Sequence, residues 1–250
     1  MTMIKKYILL ICTALFMAAA GADGSVMNYS VGLYGGFMPS AGGNLHSAAQ
    51  EEYFSTTSGL DGINKSMDGY STSEIKRLLA VTGGIELKAI FFDYFFARLA
   101  GNYTRSVLGG TGKTLYDDAG TPTLLKCEYT YQSLDIPLTV GLSIPFWKDV
   151  TISFSCGAAY ARGWTTNKFE SSAGNMKGSF SGYTFPLVLL LEGDYFITKK
   201  LSLNSSLSYY KGSTRSIRDG KKSDAVEDYS RIDFTGYRFG FGVSYYFFSY

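Results

Sequence analysis

The stretch that decides the fold is residues 238–250, which read Arg-Phe-Gly-Phe-Gly-Val-Ser-Tyr-Tyr-Phe-Phe-Ser-Tyr. Successive side chains of an extended strand point to opposite faces, so residues two apart share a face. One face of this segment carries Phe239, Phe241, Val243, Tyr245 and Phe247. The other face carries Arg238 among small residues. An aromatic face backed by a polar one suits a strand with lipid on one side and water on the other.

The N-terminus has the pattern of a secretory signal peptide. Lysines at positions 5 and 6 precede an apolar run that ends at Phe16, and small residues follow it. The run is shorter than the about 20 residues that a membrane-spanning helix needs. We therefore expect residues 1–20 to be the signal peptide, with cleavage after Ala20 or two residues later, and residues 21–250 to form one barrel domain.

The composition is rich in residues that form strands and turns. The chain of 250 residues has 20 tyrosines, 18 phenylalanines and 29 glycines, and its formal net charge is +2. Nucleic-acid binding requires a basic excess, which is missing here, so we expect no nucleic-acid partner.

The body of the chain contains eight segments with a two-residue apolar period, which predicts eight strands. These segments are residues 27–37, 78–90, 95–105, 133–142, 150–161, 183–195, 201–209 and 238–247. Short turns near residues 93, 147 and 199 alternate with long polar or glycine-rich connections at 39–77, 106–126, 165–182 and 212–230. The sequence therefore predicts an all-β fold: a closed, antiparallel, eight-stranded transmembrane β-barrel with short periplasmic turns and long extracellular loops.

The charged residues of the strands share one face with glycine, serine, threonine and asparagine. They are Glu86, Lys88, Arg98, Asp135, Glu192, Asp194 and Arg238. A soluble barrel of the lipocalin type would need the reverse alternation, with apolar side chains inside. An Arg or Lys at the middle of the bilayer costs about 2–4 kcal/mol, which also favours a polar interior. We expect these seven charges to line the lumen, with Asp135 and Arg238 pairing across it and the other five near the periplasmic mouth.

Two prolines lie inside predicted strands. Pro137 and Pro186 lack the N–H group that would bond to a neighbouring strand, and a closed barrel has no edge strand where that loss is harmless. We expect a bulge or kink at each of them.

The chain resembles the superfamily of small outer-membrane barrels that includes the OmpA transmembrane domain, OmpX and OmpW. The resemblance rests on the signal peptide, on residues 131–138 (Tyr-Gln-Ser-Leu-Asp-Ile-Pro-Leu) and on the C-terminal strand. That strand is similar to the C-terminal insertion signal of such barrels, on these residues: Arg238, Gly240, Val243 and Tyr245. The resemblance implies location in the bacterial outer membrane, contact with its lipid, and recognition of the last strand by the barrel-assembly machinery.

The sequence offers little for catalysis. The only histidine, His46, lies in the first long connection near serines and glutamates, where a Ser-His-acid arrangement is conceivable but a solvated loop residue is the simpler interpretation. The Gly-Gly-Thr-Gly-Lys-Thr run at 109–114 lacks the first glycine of a phosphate-binding loop, since position 107 is Val107. We expect no enzymatic activity and no catalytic, cofactor-binding or metal-binding residues.

Two function classes remain open from the sequence. One is a structural or surface-interaction protein whose loops meet an extracellular ligand. The other is a narrow porin-like channel that passes small solutes, as in OmpW-like barrels. Fold resemblance does not decide between them.

Overall fold

The computed structural model describes residues 28–41, 78–92, 94–108, 111–118, 121–171, 174–214, 217–219, 222–224 and 232–247. The expected signal peptide, the domain start at residue 21 and His46 lie outside the described residues. In the described part of the chain, no helix is long and apolar enough to cross a membrane.

The described residues form twelve strands joined in one antiparallel sheet. In chain order they are β1 Asn28–Ala41, β2 Leu78–Phe91, β3 Phe95–Leu108, β4 Thr111–Asp118, β5 Thr121–Trp147, β6 Val150–Ser171, β7 Gly174–Thr184, β8 Leu187–Thr198, β9 Leu201–Lys211, β10 Ile217–Asp219, β11 Lys222–Asp224 and β12 Gly236–Tyr246.

Eight of these strands close into a barrel. Around the ring the order is β1, β2, β3, β5, β6, β8, β9 and β12, and β12 pairs back onto β1. The β5–β6 pairing completes the circle, so no strand edge is left open within the ring. Turn residues at 92 and 94, 148–149 and 199–200 lie between neighbouring strands at one end, which we call the short-turn end. The opposite end is the long-loop end. The predicted closed barrel is confirmed.

The alternation of side chains follows the pattern expected from sequence. Along β2, Val81, Ile85 and Leu87 are 45–60% exposed on the outer wall, whereas Glu86 and Lys88, on the opposite face of the strand, are buried. On β12, Phe241 is 63% exposed and Arg238 is 4% exposed. The outer wall is thus an apolar, aromatic surface suited to lipid, and the polar residues face inward.

The two prolines behave differently from one another. At Pro137 the expected bulge is absent: β5 keeps one register with β6 across Ile136, Pro137 and Leu138. With β3 the register is also unchanged, but the ladder stops after Leu99–Leu138 and resumes at Asn102–Asp135. The missing N–H therefore interrupts a few bonds without shifting the strand. Pro186 does break its strand, between β7 and β8, and its carbonyl accepts a bond from Ala159.

Strands extend beyond the barrel into three of the predicted connections. Residues 111–128 form a hairpin of β4 and the start of β5, and residues 165–184 continue β6 and form β7. The short β10–β11 hairpin joins β7 at its edge. The order β11-β10-β7-β6-β5-β4 gives an upper sheet that rises from the long-loop end. Glycine and polar residues within these segments obscured the two-residue apolar period in the sequence.

Candidate functional site in the barrel interior

The structure places all seven sequence-predicted charges in the barrel interior. Their exposure ranges from 0% at Asp135 to 5% at Arg98. They come from five different strands, so the interior is the place where distant parts of the chain meet. Buried charges are costly unless each is paired and hydrogen-bonded, so the stability of the arrangement depends on the ion pairs and hydrogen bonds that each charge makes.

Five of the charges form what we call the short-turn cluster: Glu86, Lys88, Arg98, Glu192 and Asp194. Lys88 and Arg98 face each other on neighbouring strands because β2 and β3 pair them in register. The Lys88 ammonium group donates to Glu192 and lies 3.4 Å from Oδ2 of Asp194. The Arg98 guanidinium group contacts Oε2 of Glu86 at 2.7 Å and lies 4.0 Å from Glu192. Glu192 therefore bridges the two cations.

Neutral side chains complete the bonds of this cluster. Ser202 donates to Oδ1 of Asp194 at 3.2 Å, and Ser244 donates to Oε1 of Glu86 at 3.2 Å. Asn204 in turn donates to the Ser244 hydroxyl at 2.7 Å. Each carboxylate has a cation within 4 Å, so the burial of these groups is compensated.

An apolar layer lies between this cluster and the short-turn end. Ile90, Phe96 and Tyr246 are at most 3% exposed and pack together, with Phe196 against them. The Phe196 and Tyr246 rings are 5.0 Å apart between centroids. The Lys88 ammonium group lies 5.2 Å from the centre of the Phe96 ring. This mouth of the barrel is filled by side chains.

The other two charges meet in the middle of the lumen. Strands β5 and β12 are opposite one another in the ring of eight, yet Arg238 Nη1 donates to Oδ1 of Asp135 at 2.6 Å. Oδ2 of Asp135 accepts from Asn102 at 2.7 Å and from the Tyr210 hydroxyl at 3.1 Å. The Tyr210 ring also lies under the guanidinium, 3.9 Å from its central carbon. We call these four residues the central network.

A third layer fills the lumen toward the long-loop end. Ile232 and Phe234, just before β12, are fully buried, and Phe234 packs edge-on against Tyr131 at 6.4 Å. The backbone N–H of Phe234 donates a hydrogen bond to the carbonyl of Gly212 at 2.9 Å, which ties this segment to the end of β9. Gly163 leaves room for both side chains, since a Cβ there would come within 2.8 Å of Ile232 and 3.1 Å of Phe234.

The predicted C-terminal insertion signal lies on β12. Val243 and Tyr245 are each 43% exposed on the outer wall, while Arg238 and Gly240 face inward. This is the geometry that a strand needs to present an apolar face to lipid. The assembly machinery as a partner stays a prediction.

The sequence analysis missed Tyr210 and Tyr246 as interior residues. Both continue the inward parity of their strands, from Ser208 and Ser244 respectively, so the two-residue period was the signal that could have found them. Among the described residues, no group of three or more His, Cys, Asp or Glu side chains could hold a metal ion.

Solved outer-membrane proteins are similar to this chain at low sequence identity. OprG from Pseudomonas aeruginosa is 13% identical with a TM-score of 0.45, over 89% of this chain and 96% of that chain. Ail, the attachment invasion locus protein of Yersinia pestis, is 12% identical with a TM-score of 0.39, over 90% and 100%. The outer membrane protease OmpT from Escherichia coli is 9% identical with a TM-score of 0.36, over 91% and 99%. The likeness is one of fold alone.

Sequence comparison gives a narrower result. No curated protein matches the chain. A family model described as "Leptospira porin protein OmpL1" matches residues 53–185, just over half of the 250 residues.

Proposed function

The chain belongs to the Leptospira porin OmpL1 family of outer-membrane barrels, and from this premise we propose that it is a non-enzymatic barrel, closed at rest, whose working surface is its long-loop end. The barrel lies in the bacterial outer membrane. Its role is that of a stable anchor which presents the long connections and the upper sheet to an extracellular ligand.

The observation that carries this proposal is the central network. Side chains from opposite walls meet in mid-lumen, at 2.6 Å between Arg238 and Asp135, and Asp135 is fully buried. An eight-stranded barrel is only wide enough for side chains to fill it. Here apolar side chains occupy the levels above and below the charges as well. A water-filled channel through the barrel would form only if several of these layers of side chains moved.

The upper sheet supports a role at the long-loop end. It carries ion pairs between β5 and β6, Lys126–Glu170 at 3.6 Å and Lys168–Glu128 at 3.4 Å, whose partners are partly exposed. Such exposed pairs add little stability. A paired, extended sheet nonetheless gives the connections a rigid base, which lowers the entropy cost of binding a partner. Long connections of outer-membrane barrels are extracellular, so this end would meet the surroundings of the cell.

A narrow channel is the second candidate function. Membership of a porin family favours it. So does the wall formed by β9 and β12, where small residues such as Ser206, Ser208 and Gly240 face the lumen. In that case the central network would act as a gate.

A liposome-swelling assay distinguishes the two. Vesicles that contain the purified protein are exposed to small sugars and amino acids, with an open porin as the positive control. A closed barrel predicts swelling no faster than in protein-free vesicles. Solute-dependent swelling by the unaltered protein would replace this proposal with the channel.

A further inference from the structure

A small cavity lies next to the central network. Its volume is about 20 Å³, which is room for one water-sized species. Its walls come from barrel strands on several sides. Its polar lining includes Tyr34, Arg98, Ser206, Ser208, Tyr210 and Arg238.

The charges around this cavity have one sign. Both Arg98 and Arg238 line it, but no carboxylate does. Glu86 and Asp135, which neutralise these two cations, contact them from outside the cavity wall. The two ion pairs therefore present their guanidinium ends to the same space, where the electrostatic potential favours negative charge.

Arg238 also has donors without an acceptor. Its Nη1 donates to Asp135, while Nε and Nη2 are buried and have no hydrogen-bond partner. Asp135 meets Arg238 through Nη1 alone, and its second oxygen accepts from Asn102 and Tyr210. The two buried N–H groups on one edge of a guanidinium can both donate to a single acceptor atom, and a buried donor without an acceptor carries a desolvation penalty.

We propose that this cavity is a binding site for a single small monatomic anion of the size of chloride. Arg238 would donate to it through Nε and Nη2, and Arg98 would stabilise its charge from the neighbouring wall. The hydroxyls of Ser206 and Ser208 supply further donors. The volume excludes sulfate, phosphate and carboxylate solutes. A water molecule would satisfy the two N–H groups but would not exploit the paired cations.

Bromide diffraction tests the site directly, because bromide replaces chloride and scatters anomalously. Crystals of the purified protein grown in sodium bromide should show an anomalous peak between the Arg98 and Arg238 guanidinium groups. A water at that position without an anomalous signal, or bromide bound only on the outer surface, would overturn the proposal.

Solution binding provides the second test. Chloride-35 NMR line broadening by the protein in detergent should be reversed by added bromide. Arg238→Lys keeps the charge but removes the two-donor edge, so it should weaken anion binding about tenfold. The control is Arg162→Lys, the same change at an exposed arginine of the outer wall that lies over Trp164. Equal affinity in the two variants would refute the site. If Arg238→Lys does not fold, the bromide peak in the unaltered protein decides.

Discussion

A double-mutant cycle on Asp135 and Arg238 tests whether the central network holds the barrel together. Asp135→Asn and Arg238→Gln each remove one charge with little change of volume. Each single change leaves the other charge buried without its partner, since the two groups are 0% and 4% exposed and 2.6 Å apart. Breaking a buried pair from one side costs about 3–5 kcal/mol.

The structure sets where in that range each variant should fall. After Arg238→Gln, Asp135 still accepts bonds from Asn102 and Tyr210, so the loss should lie near 3 kcal/mol. After Asp135→Asn, the guanidinium keeps the Tyr210 ring but no charged acceptor, so the loss should be larger. The double variant should lose about 0.5–3 kcal/mol less unfolding free energy than the sum of the two single losses.

The assay is urea unfolding in lipid vesicles, followed by tryptophan fluorescence, with heat-modifiable gel mobility to check folding. Arg162→Gln is the matched control, because it makes the same chemical change on the exposed outer wall. It should cost no more than about 1 kcal/mol. Additive single effects, within about 0.5 kcal/mol, would refute an energetic link across the lumen.

Three further predictions address the wall, the lipid face and the topology. Gly36→Ala should lower the free energy of unfolding by about 1–3 kcal/mol, since its Cβ would collide with a carbonyl of β12. The control is Gly101→Ala, whose Cβ meets nothing within 4 Å and which should leave the free energy of unfolding unchanged. Equal urea midpoints for the two variants would contradict this prediction. Leu191→Arg on the outer wall should cost about 2–4 kcal/mol in vesicles if the residue lies at mid-bilayer, and an unchanged stability would mean that it does not face lipid. Protease added to intact cells should cut first within residues 39–77; cleavage at residues 198–200 instead would mean the inverted topology.

The sequence predicted the barrel because lipid and water impose opposite demands on alternate residues. In each strand, the apolar residues identify the outer face, so the residues between them are assigned to the lumen. Glu86, Lys88 and Asp194 could therefore be assigned to the lumen without knowledge of the tertiary structure. Partners across the ring followed from strand order: the fourth and eighth strands are opposite, so Asp135 and Arg238 were expected to meet, and the structure has them in contact.

Other features depended on geometry that one sequence does not carry. The upper sheet lies in segments where glycine and polar residues hide the two-residue period, so 106–126 and 165–182 were assigned to loops. Pro137 keeps its register because the strand on its other side, β6, pairs without interruption. The cavity between Arg98 and Arg238 depends on how far each side chain reaches, which alternation alone does not specify.

The central claim is that layers of interior side chains close the lumen, and single-channel recording in a planar bilayer tests it most directly. The unaltered protein should give no steady conductance above that of the bare bilayer. Arg238→Ala, which removes the side chain that spans the lumen, should give measurable steps while the protein remains folded on gels. Stable, reproducible conductance steps from the unaltered protein would contradict the account.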